Sequence, residues 1–395
     1  MNTNAKKLLI SRVVNKLGDS LYDFGNNSWI ASLGTVGQTY LGAYQIADLL
    51  VSILINPFGG AISDRFKRRK ILLWTDAIGG LMCLVVACLG NERHMLYGLI
   101  LVNMVLALSS AFSSPSYKAF VPEVVEKEEL VSYNAKLETL VQLIKVSSPL
   151  VAYWLLRALG IRLTLLLDSA TFFVSFITVY LIRVDEAKDS DVKRTPFTIR
   201  GILSDIWDGF SYIRKEKEIF FLLIIAAVVN IFAAMLMYLL PFSNGLFASD
   251  NAYANLMSFA AIGALSGAFL ASRLIAGSTK MLMFLVISGL GYALIGFSAL
   301  IGLPHLVSFT GNFLAEASMV VFNIHFFSRV QARVSKAYMG RVISTIYTVA
   351  ILFMPLGTLT MTILPSSVHI ASFIWIGLGF CVTGLMAIAY QRRLA

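Results

Sequence analysis

The fold expected is an all-α membrane protein, with twelve transmembrane helices in two pseudo-symmetric six-helix bundles. Three observations lead there. Of the 395 residues, 57% are hydrophobic and only 14% are charged, where a soluble domain carries roughly 25% charged residues. Mean hydropathy is +0.77. Apolar runs of about 20 residues recur along the chain, each long enough to cross ~30 Å of hydrocarbon as a helix. One long hydrophilic segment near the middle leaves six such runs on either side.

Windows bounded by Gly, Pro and charge define the spans in order. The first six fall at 9–33, 40–62, 71–90, 95–117, 133–156 and 161–183. Residues 184–197 are charged and read as a linker. Residues 198–217 then carry Ile199, Ile202, Leu203, Ile206, Trp207, Phe210 and Ile213 at helical spacing, with Arg200, Asp205, Asp208 and Arg214 on the other face. That pattern is an amphipathic helix lying at a membrane interface. The second six spans fall at 218–242, 252–275, 280–301, 305–328, 340–363 and 368–390. The expected divisions are therefore 1–183 for the N-terminal bundle, 184–217 for the linker with its interfacial helix, and 218–395 for the C-terminal bundle. Six spans on either side of a charged connector suggest two pseudo-symmetric bundles with a cavity between them.

Charge supplies an orientation. With the first residues cytoplasmic, the inner segments hold four Lys/Arg at the start, five at 65–70, three after span 4, eight in 183–217, two after span 8, four around spans 10 and 11, and two at the end. That is 28 of the 32 cations. So strong a bias obeys the positive-inside rule and places both ends of the chain in the cytoplasm. The net charge of +10 is then topological: basic loops facing anionic lipid account for it, and no nucleic-acid partner is expected.

Several function classes are disfavoured. The polar start and the absence of a small-residue cleavage site argue against a removable signal peptide. Cys83, Cys88 and Cys381 lie within apolar runs and form no metal or disulfide pattern. No pair among His94, His305, His325 and His369 has metal-ligand spacing. The chain lacks a phosphate-cradling GxxxxGK[ST] run, which disfavours transport driven by ATP. No nucleophile–base arrangement is recognisable, so an enzyme is not expected, and no cofactor is implied.

Ionisable residues within a span are costly and face a cavity or a partner. Asn15, Asp19, Asp23 and Asn27 recur every four residues along one drifting face of span 1. Two carboxylates one turn apart repel if both are ionised, which suits Asp19 or Asp23 to accept a proton. Asp19 could equally fix span 1 against a neighbouring helix. Span 5 carries a polar stripe of Glu138, Gln142 and Lys145. Lys145 should either pair with an acid (Asp23, Glu138 or Glu316) or attract an anionic substrate group. Glu316 is the one acid deep in the second bundle, flanked by Asn312 and Asn323. Asp48, Asp76 and Asp168 are weaker candidates: Asp76 is expected to support the basic loop, and Asp168 to serve packing. Phe232, Met235, Met237 and Tyr238 of span 7 could line an adaptable apolar cavity, or simply pack.

Residues 60–70 read Gly-Ala-Ile-Ser-Asp-Arg-Phe-Lys-Arg-Arg-Lys. With the twelve-span layout, Gly60, Asp64, Arg65, Arg68 and Arg69 resemble the loop between spans 2 and 3 of the major facilitator superfamily, with Lys67 where that loop has Gly. The stretches Lys16-Leu-Gly-Asp-Ser-Leu-Tyr, Leu167-Asp-Ser-Ala-Thr-Phe-Phe and Gly340-Arg-Val-Ile-Ser are similar to the macrolide-efflux-type branch of its drug:proton antiporters. The equivalent loop after span 8 keeps Arg273 but has Ser272 in the acid's place, and Ser147-Ser148-Pro149 replaces the Gly-Pro signature of span 5.

The resemblance implies a secondary transporter working by alternating access in a bacterial plasma membrane. Its gate would be Asp64 docking on the start of span 11 and on Arg341, since a helix N-terminus favours a nearby negative charge. Proton-coupled export of amphipathic small molecules by a monomer surrounded by lipid is the leading expectation. Transport of an anionic metabolite, siderophore or lipid, and a membrane binding or immunity protein without turnover, stay open.

Overall fold

A computed structural model of the chain describes residues 1–63, 65–183, 199–274, 277–335, 338–364 and 366–394. The described residues are helical nearly throughout, with no strand among them. The helices are α1 (Thr3–Ser32), α2 (Gly34–Ser63), α3 (Arg68–Ala87), α4 (Glu92–Val124), α5 (Leu130–Tyr180), α6 (Ile199–Lys215), α7 (Lys217–Leu239), α8 (Ser243–Leu246), α9 (Ala252–Ala271), α10 (Ser278–Leu300), α11 (His305–Arg333), α12 (Met339–Leu352), α13 (Met354–Ile363) and α14 (Ile370–Leu394). Among the described residues, ten helical stretches are long and apolar enough to cross a membrane.

The ten stretches and the twelve predicted spans reconcile at two places. Residues 127–180 form one continuous helical stretch, but Gly160 inside it has φ +72° and ψ 172°. That conformation is open to glycine and strained for other residues. The long helix is thus two spans broken where the sequence places a boundary, and Pro149, buried inside it, does not break it. The other difference is α1. Its 30 residues span a bilayer by length, yet Arg12, Lys16, Asp19 and Asp23 make it too polar to count by composition. Predicted span 11 is also interrupted: α12 ends at Leu352 and α13 restarts with Pro355 in its first turn, as suits a residue with no N–H to donate.

The chain divides into two compact units. One holds Met1–Ile30 and Ala47–Ile202, the other Ala31–Ile46 and Leu203–Ala395. In the first unit α3 packs on α4 and α5. One end of it is a buried cluster that includes Leu8, Leu72, Tyr117, Phe120, Tyr133 and Ile182, within which the Tyr117 and Tyr133 hydroxyls meet at 2.5 Å. In the second unit α10 packs on both α14 and α11, and α11 on α9. Small residues permit it: a methyl at Gly377 would lie 2.5 Å from the Gly289 carbonyl oxygen. Between apolar helices in lipid, such close backbone approach supplies van der Waals contact in place of a hydrophobic drive. Large apolar side chains such as Trp74, Trp154 and Trp375 stay exposed, at 68%, 64% and 71%, which suits an apolar solvent.

The amphipathic segment folds as α6 and belongs to the second unit from Leu203 onward. Its apolar face is buried at Ile213, while Trp207 is exposed. It lies along the start of α12: Tyr212 stacks on Tyr338 at 4.9 Å, Thr345 Oγ1, which donates to the Arg341 carbonyl of its own helix at 2.8 Å, lies 3.3 Å from the Ile206 carbonyl, and Arg341 pairs with Asp208 at 3.6 Å.

Candidate functional site

The first unit contains a polar pocket, built by α1, α3, α4 and the second half of α5. Residues Ser11, Arg12, Asn15, Lys16 and Asp19 recur on one face of α1, at the helical spacing of three to four. Opposite them, α3 contributes Thr75 and Asp76, α4 contributes Ser109, Ser110, Ser113 and Tyr117, and α5 contributes Ser175.

Asp76 is the hub. It is 7% exposed. Asn15 Nδ2 donates to its Oδ1 at 3.3 Å and Ser175 Oγ to its Oδ2 at 2.6 Å. Ser175 Oγ also lies 2.8 Å from Ser11 Oγ. A hydroxyl has one proton to give, and Ser175 spends it on the carboxylate, so Ser11 is the donor in the second contact. The result is a directed chain from Ser11 through Ser175 to Asp76, joining α1, α5 and α3. Arg12 stands on the same pocket wall with its guanidinium 4.6 Å from the centre of the Tyr117 ring, a cation–π contact. Lys16 Nζ pairs with Asp19 Oδ2 at 2.9 Å.

Asp168 sits on the adjoining α1–α5 seam. It is 1% exposed, and its carboxylate accepts from Cys83 Sγ at 3.3 Å, while Thr171 Oγ1, 3.4 Å from Oδ1, donates to the Asp168 carbonyl oxygen at 2.7 Å. It holds helices together, the packing part expected of it. Asp76 departs from expectation. It makes its contacts with Asn15 and Ser175, not with the basic run at 65–70, because its position on α3 faces α1 and α5 two turns inside the span.

The remaining predicted site residues scatter. Asp19 lines the pocket, whereas Asp23, one turn on, is exposed, with its carbonyl oxygen accepting from Asn27 Nδ2 at 2.6 Å. Glu138 is exposed and accepts from Gln142 Nε2 at 2.5 Å. Lys145 is exposed and has no ion pair among the described residues, so none of the acids named as its partner, Asp23, Glu138 or Glu316, pairs with it. Glu316 lies in the second unit, half-buried on α11, where the buried Tyr292 hydroxyl donates to its Oε1 at 2.7 Å.

Of the loop residues, Gly60 ends up within α2, Arg65 is exposed in the turn that follows, and Asp64 lies outside the described residues. Arg68 and Arg69 are tied within the first unit. Arg68 pairs with Glu123 at the end of α4. Arg69 donates to the Val179 carbonyl at 3.3 Å and to that of Tyr180 at 2.5 Å, at the end of α5. Among the described residues no group of three or more His, Cys, Asp or Glu is placed to hold a metal ion.

The architecture matches the family model described as Major Facilitator Superfamily over residues 8–358. The chain belongs to the major facilitator superfamily. It is a multi-pass membrane transporter of small molecules and not an enzyme. Macrolide efflux protein A of Enterococcus faecalis is 23% identical over 336 residues, 82% of this chain and 100% of that protein. The protein of the same name from Streptococcus pyogenes is 24% identical over 318 residues, 77% of this chain and 75% of that one. Among solved structures, the nucleoside transporter NupG superposes with a TM-score of 0.72 at 12% identity, covering 98% of both chains. A bacterial homologue of the iron transporter ferroportin, in an inward-facing state, gives 0.70 at 16% identity, again over 98% of both. At these identities the structural likeness establishes the fold of the transporter, while the branch rests on the sequence relatives.

Arg12 is what sequence reasoning passed over, and Asp76 is what it ranked among the weaker candidates. Arg12 and Lys16 were absorbed into the inner positive charge that sets topology. The available signal was their spacing: Arg12, Asn15, Lys16 and Asp19 share one face, and a cation on the same stripe as an acid within a span marks a lined cavity more than a loop.

Proposed function

We propose that the transporter is a proton-coupled exporter of amphipathic small molecules, working by alternating access in a bacterial plasma membrane with both ends of the chain in the cytoplasm. The observation that carries this reading is the pocket of the first unit. It sets ionisable carboxyls, Asp19 and Asp76, among hydroxyls inside membrane-spanning helices, where such groups are expensive unless they are used. The relation to macrolide efflux proteins along most of the chain supports export and an amphipathic cargo. The charge bias supports the orientation.

In this reading Asp19, Asp23, Glu138, Lys145 and Glu316 are the groups available to substrate and to the coupling ion H⁺. A proton or a substrate moves the equilibrium between inward- and outward-open states only by its different affinity for each. Gly60, Asp64, Arg65, Arg68 and Arg69, from the end of α2 to the start of α3, act as the latch of the inward side, with Asp64 docking on the start of α12 beside Arg341. The divisions 1–183, 184–217 and 218–395 act as bundle, connector and bundle. The working form is a monomer in lipid, and nucleic acid has no part in it. A second reading, carriage of an anionic molecule, is favoured only by Lys145, a cation exposed and unpaired among the described residues.

Accumulation of a radiolabelled macrolide in bacterial cells with and without the expressed transporter tests the proposal. Lower accumulation in expressing cells, restored to the control level by a protonophore, is the expected result. Equal accumulation in both strains would contradict export.

A further inference from the structure

We propose that Asp76, held by Ser175 and Asn15 in the pocket of the first unit, is a proton-carrying site separate from the groups that bind substrate. This rests on the proton-coupled reading above and deepens it by dividing the work between two places.

Size is the first argument. The cavity measures about 60 Å³. That admits a few waters but is far below the ~300–1,000 Å³ of a site for a drug-sized molecule. Charge is the second. The groups facing Asp76 are Arg12, Lys16 and Asp19 from α1 and Tyr117 from α4. From α5 come Ser175 and the apolar Phe172 and Val179, while the α5 acid Asp168 is engaged by Thr171 and Cys83. Arg12 and Lys16 balance Asp19 and Asp76, so the pocket as a whole is neutral with all four charges formed and offers a cationic amphipath no net attraction. A proton on Asp76 leaves it with one net positive charge.

Connection is the third argument. Ser11, Ser175 and Asp76 bond three helices to one another. Protonation turns the Asp76 carboxylate into a carboxyl group, with cavity water as the donor and, on release, as the acceptor. An acceptor of the Ser175 hydroxyl is lost or weakened by that change, and so is a counter-charge for Arg12. The proton state of one buried group is thereby tied to the packing of α1 against α3 and α5, as a coupling site requires.

The test uses the full-length protein and two readouts. Infrared difference spectra between acidic and neutral buffer should show a protonated-carboxyl band that is lost in Asp76→Asn, and Ser175→Ala, which removes one donor and no charge, should displace the band's titration. In vesicles, Asp76→Asn should lose gradient-driven macrolide accumulation to the level seen without a gradient, while macrolide exchange and binding stay within about twofold of wild type. A carboxyl band unchanged in Asp76→Asn, or a titration unmoved in Ser175→Ala, overturns the proposal even if one variant proves too unstable to use. So does a tenfold loss of macrolide binding in Asp76→Asn, which would make Asp76 part of the substrate site. A wild-type protein that shows the band yet ignores the gradient would overturn the export reading and this one with it, and the absence of the band alone would overturn only this one.

Discussion

Gly18 of α1 lies so close to Thr171 of α5 that a methyl group at residue 18 would sit 2.0 Å from Thr171 Oγ1, and 2.6 Å from Oδ1 of the neighbouring Asp168. Two stretches that resemble the family, Lys16-Leu-Gly-Asp-Ser-Leu-Tyr and Leu167-Asp-Ser-Ala-Thr-Phe-Phe, are thus one structural contact. Gly18 gives α5 its seat, and Asp19, the next residue, turns to the pocket. Gly18→Ala forces Thr171 and Asp168 aside in a packed seam, a change that costs about 1–3 kcal/mol. The expected outcome is a lowered unfolding temperature of the purified protein in detergent. Pairing it with Thr171→Ala, which removes the nearest atoms, should recover part of the loss.

Helix α6 is seated by shape more than by charge. The Arg341–Asp208 pair is 3.6 Å long and both side chains are close to half exposed, so Asp208→Asn should cost no more than about 1 kcal/mol. Gly209 is different: a methyl there would lie 2.3 Å from Thr345 Oγ1 and 2.7 Å from the Arg341 carbonyl oxygen. Gly209→Leu should lift α6 off α12. Limited proteolysis within 199–215 is expected to be many times faster in Gly209→Leu and nearly unchanged in Asp208→Asn. Equal rates would show that the ion pair, not the close approach, holds the helix.

Arg69 bonds two carbonyls at the C-terminal end of α5, where the helix's own ladder runs out and the Val179 oxygen also accepts from the Ile182 N–H at 3.1 Å. Hydrogen bonds to a charged donor are worth about 1.5–3 kcal/mol, so Arg69→Ala should destabilise the protein by an amount in that range. Arg69→Lys should restore less than half of it, because an ammonium lacks the planar fork that reaches both oxygens. Thermal unfolding of the three proteins side by side measures this.

Glu316 separates structure from transport cleanly. Tyr292→Phe removes the 2.7 Å donor to Glu316 and leaves the carboxyl without that partner, at about 1–3 kcal/mol. Glu316→Gln keeps an oxygen for Tyr292 to donate to and removes only the charge. Glu316→Gln is expected to unfold at nearly the wild-type temperature while losing most macrolide transport. Full transport in that variant would reduce Glu316 to a packing residue.

The sequence carried the membrane architecture because hydrocarbon thickness and the positive-inside rule act on composition alone. Gly160 was legible as a boundary, since only its backbone conformation was new to the structure. Even α1, more polar than the other spans, was legible from its apolar window at 9–33, and the charge count agrees with that assignment. The pocket was legible only in part. Asp19 stood out on a four-residue repeat, but Asp76 became important through Ser175 and Asn15, which are 99 and 61 residues away. Spacing within one helix cannot register a convergence of four. Arg12 was hidden for another reason: a cation near the inner end of a span satisfies the topology rule and a site equally well, and only its seat over Tyr117 tells them apart. Lys145 shows the reverse. Its depth in the span demanded a partner, yet no ion pair forms among the described residues.

The central claim, export driven by protons, is tested most directly by reconstituting the purified protein into vesicles and following uptake of a radiolabelled macrolide into those oriented with the cytoplasmic face outward. An acidic interior should drive accumulation several-fold above the level without a gradient, and a protonophore should abolish it. Uptake that is the same with and without the gradient would contradict the claim.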